Sequence, residues 1–481
     1  MARINLTGGS YQARSLAASA QRCLNLYPEP LPQQQQEPIQ FAHYPTPGTR
    51  AFATPETGAV RCLYQSSQGD LVAVVGSGVY VTTAAGNATK IGTISGGTGQ
   101  VRMQDNGLTL FIVDGTPKGG WYCSIPQKPR QGEYGTLTQI SDPAFYGSST
   151  ISVLDTFFLF TNPGTTNWYV SPANFTDEAT TPFDSLYVAS KTSYPDTIMG
   201  VDVVGQTIWL FGTQETELWY TSGAADFPFQ RMPSLTISAG CIAPYSISSN
   251  GDAVIWLGCD NMGLPRVYMG RGTEAQAIST FAIDNAIQGY GDAADAIGSL
   301  YQQGGHVFYV LSFPRTGATW VYDLSVGLWH ERCSLDSRTL TETRLRANAW
   351  ANAYGRVFCG DYETGAICEV TLDLDTEAGV PIKRQRACPH AIGDGRRMIH
   401  RKLMLDMQNG SGATVQVDWS DDRGSTWSHP FLQMQLGTTG NAWPTVWRLG
   451  MARDRIYRLT WTGGQGAALM GAFLDVDTVS S

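Results

Sequence analysis

Residues 60–83 read VRCLYQSSQGDLVAVVGSGVYVTT. A short run (60–65) meets the polar turn 66–70, an apolar run (71–75) meets a glycine turn, and a third run carries Tyr80. Short apolar or alternating runs bounded by Gly, Ser and Asp are the mark of β-strands joined by tight turns. The same grammar recurs six more times, in stretches beginning at Val101, Ile151, Met199, Tyr245, Ile297 and Asn348. The hydrophobic strand often bears Trp or Phe, as in Phe157-Phe158-Leu159-Phe160 and Ile208-Trp209-Leu210-Phe211. A small antiparallel unit returning every roughly 40 to 50 residues cannot bury both faces alone and needs neighbours, so the rhythm means radial repetition. The fold class expected is all-β, with a seven-bladed β-propeller.

Working outward, the chain of 481 residues is too long for one compact core. Abundant glycine (53 residues) and sparse charge (15 %) suit a turn-rich, all-β protein. Helical periodicity is nearly absent; one short apolar stretch, 281–287, reads as helix between two repeats. After residue 375 the rhythm changes. From Met398 onward the strands alternate cleanly between Gly, Asn and Asp turns, which reads as a small β-sandwich. The expected organisation is an N-terminal arm and closing strand (1–50), a propeller (51–375), a linker (376–395) and a C-terminal sandwich (396–481). In the arm, the alternating residues 39–44 follow a polar run at Gln33–Gln36 and precede Pro45-Thr46-Pro47-Gly48. Ring closure is the attractive role for that strand, because completing a blade begun by the other terminus removes an exposed edge; completion by a C-terminal strand is the other possibility. The longer links between repeats, rich in Pro, Gly and Ser, are expected on the rim and flat faces.

The formal net charge is -9. Residues 380–481 hold 12 Lys+Arg against 8 Asp+Glu, a net +4, which leaves 20 against 33, or -13, for residues 1–379. An acidic body repels nucleic acid at a distance, so gripping phosphates is not its business. The nine cysteines sit at wide spacings without a Cys-x-x-Cys pair. Cys359 and Cys368 lie on adjacent strands, yet apolar surroundings at Cys62, Cys241 and Cys259 suit reduced thiols. The opening MARINLTGGSYQARSLAASAQRC lacks the apolar region of a signal peptide, and no apolar run reaches the ~20 residues of a membrane span.

Residues with chemical potential are few. Ser420-Asp421-Asp422-Arg423-Gly424-Ser425-Thr426-Trp427 resembles the Asp-box of sialidase-type propellers, a hairpin device in which the acid caps amides and Gly takes positive φ. It is a structural motif, and it stands alone. The six histidines (His43, His306, His330, His390, His400, His429) never fall at metal-ligand spacing. His330 beside Glu331 ends a repeat, as strand-edge polar residues do. No Gly-x-Ser-x-Gly elbow or phosphate loop is present. Asp155, Asp202 and Asp252 read as turn formers rather than the acid pair of a glycosidase. The expectation is therefore no catalytic residue, no cofactor and no metal.

Four segments together resemble a family: SLAASAQRCLNLYPEPLP with FAHYPTPGTRAFAT, DAIGSLYQQGGHVFYVLSFPRTGATWVYDLSVGLWHER, EVTLDLDTEAGVPIKRQRACPH with HRKLMLDMQNG, and VQVDWSDDRGSTW with VWRLGMARDRIYRLTWTG. They resemble the tail hub, or packaged-DNA stabilisation protein, of short-tailed bacteriophages. The resemblance implies a non-enzymatic virion protein made in the host cytoplasm and built into the tail. It implies a homo-oligomeric ring, a hexamer, below the portal adaptor protein, which extends the DNA channel, helps retain packaged DNA and carries tailspikes, fibres or a needle. DNA would pass through the lumen without specific binding. In such a ring the net-positive C-terminal unit would pack against the acidic propeller of a neighbour, with Arg396, Arg397 and Arg401 as candidate inter-subunit contacts. The rival readings are a propeller-based glycan-active hydrolase, which needs carboxylates and an aromatic platform at one propeller mouth, and a receptor-binding adhesin.

Overall fold

The computed structural model describes residues 2–4, 6, 8–31, 40–127, 133–224, 226–260, 262–393, 395–408, 413–428, 432–436, 441–464 and 466–479. Each quoted repeat forms the first three strands of an antiparallel sheet. In the first sheet these are Val60–Gln65, Leu71–Val75 and Gly78–Thr82, with Ala88–Thr93 as the fourth. The second strands, such as LVAVV and TLFIV, are buried at every position because each sheet is covered on both faces by its neighbours. The links expected as rim loops supply the fourth strands of the second to fifth sheets: Thr138–Gln139, Val188–Ser190, Phe229–Ile237 and Glu274–Ala277. The helical stretch is real, spanning Phe281–Gly289, with Thr280 Oγ1 accepting from the Ile283 amide.

Among the described residues seven such sheets follow one another, and the first strand of each packs on the first strand of the next. The circle closes between the seventh sheet and the first. Asn348 Nδ2 donates to the Val60 carbonyl at 3.1 Å, and Val60 fills the space beside Gly360. This is a β-propeller. Its seventh sheet takes Ala347–Ala353, Arg356–Asp361 and Ile367–Thr371 from the end of the repeats and Gly48–Ala53 from the N-terminal region. The closing strand is therefore one turn later than expected from residues 39–44. Ile39 lies outside the described residues, as does the Gln33–Gln36 run. Phe41–Pro45 pairs instead with Leu26–Pro30 and with Leu469–Thr478. Gly48 opens the closing strand at a close approach of backbones: a Cβ on it would sit 2.6 Å from the Thr376 carbonyl oxygen. Arg50 then faces Glu369 across the closing pair, 2.9 Å apart.

The remaining strands make two sheets on a shared core of Leu403, Leu405, Val415, Leu459, Trp461 and Leu469. One sheet centres on Met398–Gln408 and Leu469–Thr478 and includes Ala2–Ile4, Leu26–Pro30 and Phe41–Pro45 from the N-terminal region. The other runs Lys383–Ala387, Asp454–Thr462, Thr414–Ser420, Leu432–Gln435. The expected boundaries differ from this in two places. Residues 1–50 are not a separate arm but strands of both units. Residues 376–395 are not a plain linker, since Lys383–Ala387 lies within a sheet and Thr376–Glu377 extends the seventh sheet. Most telling, Cys23–Leu24 lies between Lys383–Ala387 and Leu328–Glu331, the fourth strand of the sixth sheet, pairing with both. The sixth sheet of the propeller thus continues without a break into the C-terminal unit.

Candidate functional site

In enzymatic propellers chemistry sits at the central axis, so the residues that meet there decide what this chain can do. Arg102 begins the second sheet's first strand. Its guanidinium donates to the carbonyls of Tyr245 and Ile247, at the start of the fifth sheet on the far side of the ring. Tyr245 answers by donating its hydroxyl to the Asp114 carbonyl at 3.3 Å, back in the second sheet. Ile247 packs on Gly200 of the fourth sheet, where an added Cβ would lie 2.4 Å from the Ile247 side chain. Tyr309 of the sixth sheet donates to the Ser246 carbonyl at 2.8 Å. Four of the seven sheets, the second, fourth, fifth and sixth, are tied together by the Pro244–Ser246 turn of 3-10 helix, Ile247 and Arg102. The middle of the ring is a plug, not a funnel.

Asp202 borders this plug, as does Asp114, whose carbonyl accepts from Tyr245. Asp202 lies mid-strand in Ile198–Val204, not in a turn as the sequence suggested; Asp155 and Asp252 do sit between strands. Desolvation raises the Asp202 carboxyl above its ordinary range, opposed by the Val203 amide, Ser249, Arg102 and Ser152. Its hydrogen-bond partners are hydroxyls and an amide rather than a second acid, so the paired geometry of a glycosidase is not built here.

The other candidates have structural work. His330 points away from Glu331, because neighbours on a strand face opposite sides. Its ring is buried edge-on to Phe308, and burial, with Arg332 and His306 nearby, lowers its pKa to about 3. Glu331 instead accepts from Arg22 and Ser10. His306 Nδ1 is 2.7 Å from Asp323, and His390 Nδ1 is 2.7 Å from Asp454 while its Nε2 is 3.1 Å from the Leu16 carbonyl. His400 takes the Tyr457 hydroxyl at 2.8 Å, and burial lowers its pKa to about 4. His43 is fully buried and held neutral by desolvation. His429 lies outside the described residues. Among the described residues no three His, Cys, Asp or Glu side chains gather as a metal site. All nine cysteines are buried free thiols. Burial raises the pKa of Cys23, Cys123 and Cys388 to about 12, the opposite of an activated nucleophile.

The Asp-box behaves as its sequence says. Asp422 Oδ1 accepts from the Ser420 hydroxyl at 2.6 Å and the Thr426 amide at 2.8 Å, which with Thr426 Oγ1 lowers its pKa to about 2. Gly424 takes φ +91° and Trp427 packs under the Arg458 guanidinium, 3.9 Å from the ring centroid. These are the bonds of a hairpin staple. The joint between the two units carries a charged network of its own: Arg22 bridges Glu331 and Glu342, each at 2.8 Å, and Lys383 joins Glu342 at 2.6 Å. No sequence pattern marks it, because Arg22 lies some three hundred residues from Glu331 and Glu342, and Lys383 lies on a further strand.

Arg396, Arg397 and Arg401 are all exposed at the start of Met398–Gln408. Arg401 is already engaged by Asp477; Arg396 and Arg397 carry no ion pair among the described residues.

The chain matches the protein-family model described as Bacteriophage P22 Gp10, beta-propeller, over residues 2–375. No curated protein matches it. Similar solved structures include the WD40 β-propeller domain of Doa1, at 11 % identity and TM-score 0.37 over 67 % of this chain and 96 % of that one. The N-terminal domain of Nup159 gives 9 % and 0.41 over 68 % and 95 %. An exo-β-1,3-galactanase from Phanerochaete chrysosporium, solved with galactose, gives 11 % and 0.30 over 83 % and 100 %. At these scores none of the three bears on what this chain does. The family match spans the closing strand and all seven repeats, ending where the strands of the C-terminal unit begin, and this chain belongs to the phage stabilisation family typified by the bacteriophage P22 Gp10 β-propeller.

Proposed function

We propose that this virion protein is a tail hub: a subunit of a ring, six copies around, below the portal adaptor, which extends the DNA channel, helps retain the packaged genome and anchors tailspikes, fibres or a needle. It is a structural part and not an enzyme. The observation that carries this reading is the plugged axis. With Arg102 and Tyr245 bonded between the second and fifth sheets, protein crosses the subunit's own axis, which favours a DNA channel that runs between copies. The acidic balance of residues 1–379 supports a lumen that confines DNA without holding its phosphates. The sheet shared between propeller and C-terminal unit supports a part that bears load without a hinge.

The native mass of the purified chain tests this. A species near six protomers is the expected result. A monomer that cleaves glycans would overturn the hub and restore the hydrolase.

A further inference from the structure

Large apolar side chains left in water on a well-packed protein mark places where something else docks. Two such groups stand on this chain, on different units. The first lies on the outer face of the sheet built on Met398–Gln408. Ile399 and Met451 are cross-strand partners there, and Trp447 pairs with Lys402, whose Nζ sits 4.9 Å from the indole centroid. Trp443 rests on Phe473 at 5.9 Å. Trp447 remains 61 % exposed and Trp443 49 %. Arg396, Arg397, Arg401 and Arg448 are exposed around them. Trp, Met and Arg are the residues enriched in the centres of protein interfaces. A sugar platform would instead surround its rings with hydroxyl-binding partners.

The second group borders a groove of about 530 Å³ between the Tyr11–Gln12/Ala20–Gln21 hairpin and the helix Phe281–Gly289. Phe281 opens the helix with 78 % of its surface in water, and Leu264 and Tyr11 line the same groove. Met262, on the adjoining turn, is 83 % exposed. Nothing in the fold requires a phenylalanine at that position, since the helix buries Ala282, Ile283 and Ile287 on its other side.

We propose that these two surfaces are the two halves of one contact between copies of this chain: the Trp447 face of one subunit seats on the Phe281 groove of the next. The proposal rests on the ring reading above and names the surfaces that make it. Charge selects the pairing. Two copies of the Trp447 face would bring Arg396 and Arg397 against their own counterparts, a like-charge contact. The segment 380–481, at +4, is instead drawn to the body at -13. The groove itself is lined by Asp260 and Asp284 together with Arg14 and Arg266, the last pairing with Asp284 at 3.1 Å, so its own charges balance and it lacks the like-charge penalty of a self-paired Trp447 face. A contact between two different faces repeats head to tail, as a ring requires, whereas a self-paired face stops at a dimer.

Full-length Trp447→Glu and Phe281→Arg test this by analytical ultracentrifugation. Both sites are exposed, so an unchanged melting midpoint and far-UV spectrum confirm that each variant is folded. Each variant alone is expected to lose the ring, with self-association weakened by roughly thirtyfold or more, as for the loss of an interface anchor. Mixed in equal amounts they are expected to give one dimer and nothing larger, because only one intact pair of faces survives between them. If either variant still forms the wild-type ring, or the mixture gives no dimer, the assignment of these surfaces is wrong and they serve another partner. A wild-type chain that stays monomeric refutes the ring itself, a separate result.

Discussion

Acid should weaken this protein in a window set by two buried histidines. His330 and His400 have pKa values near 3 and 4 in the folded chain, chiefly because burial penalises the charged ring. In the unfolded chain both return to about 6.5. Below that value the unfolded state binds protons the folded state refuses, so stability falls as pH falls, and goes on falling until the folded pKa is reached. Between pH 6.5 and 5 each ring costs about 2 kcal/mol, from roughly 1.5 pH units at 1.36 kcal/mol each. They sit in different units, one in the sixth sheet and one beneath Tyr457, so the costs should add to about 4 kcal/mol. That is a large share of the ~5–15 kcal/mol that holds a domain together. Replacing them by residues that do not titrate, His330→Leu and His400→Gln, removes the effect. Gln keeps an acceptor for the Tyr457 hydroxyl. Urea unfolding at pH 7 and pH 5, followed by tryptophan fluorescence, should show the wild-type losing about 4 kcal/mol more than the double variant between the two pH values. His43, also held neutral, remains in both proteins and acts in the same direction without altering the difference. Equal losses in the two proteins would refute the reasoning.

Gly298→Ala should lower the melting midpoint, costing roughly 1–3 kcal/mol. Its Cβ would lie 2.2 Å from the Ser246 carbonyl oxygen, which is backbone inside the axial plug and has nowhere to go; an unchanged midpoint would mean the plug is soft. Arg22→Met should cost about 1–2 kcal/mol in urea unfolding, after allowing for the screening that a quarter-exposed guanidinium feels. A double-mutant cycle with Glu331→Gln should give a coupling of at least about 0.5 kcal/mol, while additive effects would mean the ion pair holds nothing.

The repeats were legible because each carries a second strand buried on both faces, and a run such as TIWLFG admits few other readings. Ring closure from the N-terminal side was legible too, but not its register. Residues 41–45 alternate as a closing strand would, and only their pairing with Leu26–Pro30 removes them from the role. What identifies Gly48–Ala53 is Arg50 opposite Glu369, a match between residues 319 apart that leaves no periodic trace. The same holds for the strand Cys23–Leu24, two residues long, which joins the propeller to the C-terminal unit. The plug was illegible for another reason. Arg102 looks like any polar residue opening a strand, and its meaning appears only once the second and fifth sheets stand on opposite sides of a ring.

That plug and that joint bear on one mechanical question. A propeller threaded by DNA needs a wide axis, which leaves its inner strands weakly braced. Here Tyr245, Ile247 and Arg102 brace them from within. A sheet that continues from Leu328–Glu331 through Cys23–Leu24 into Lys383–Ala387 transmits force through backbone hydrogen bonds, and Arg22 with Glu331 and Glu342 guards the crossing. In the proposed ring, internal pressure then acts on subunits that do not flex at the domain boundary, so compliance is confined to the contacts between copies. Opening the channel in such a device means sliding or tilting whole subunits along the Trp447 and Phe281 surfaces, and substitutions there should alter genome retention while leaving the fold of the subunit intact.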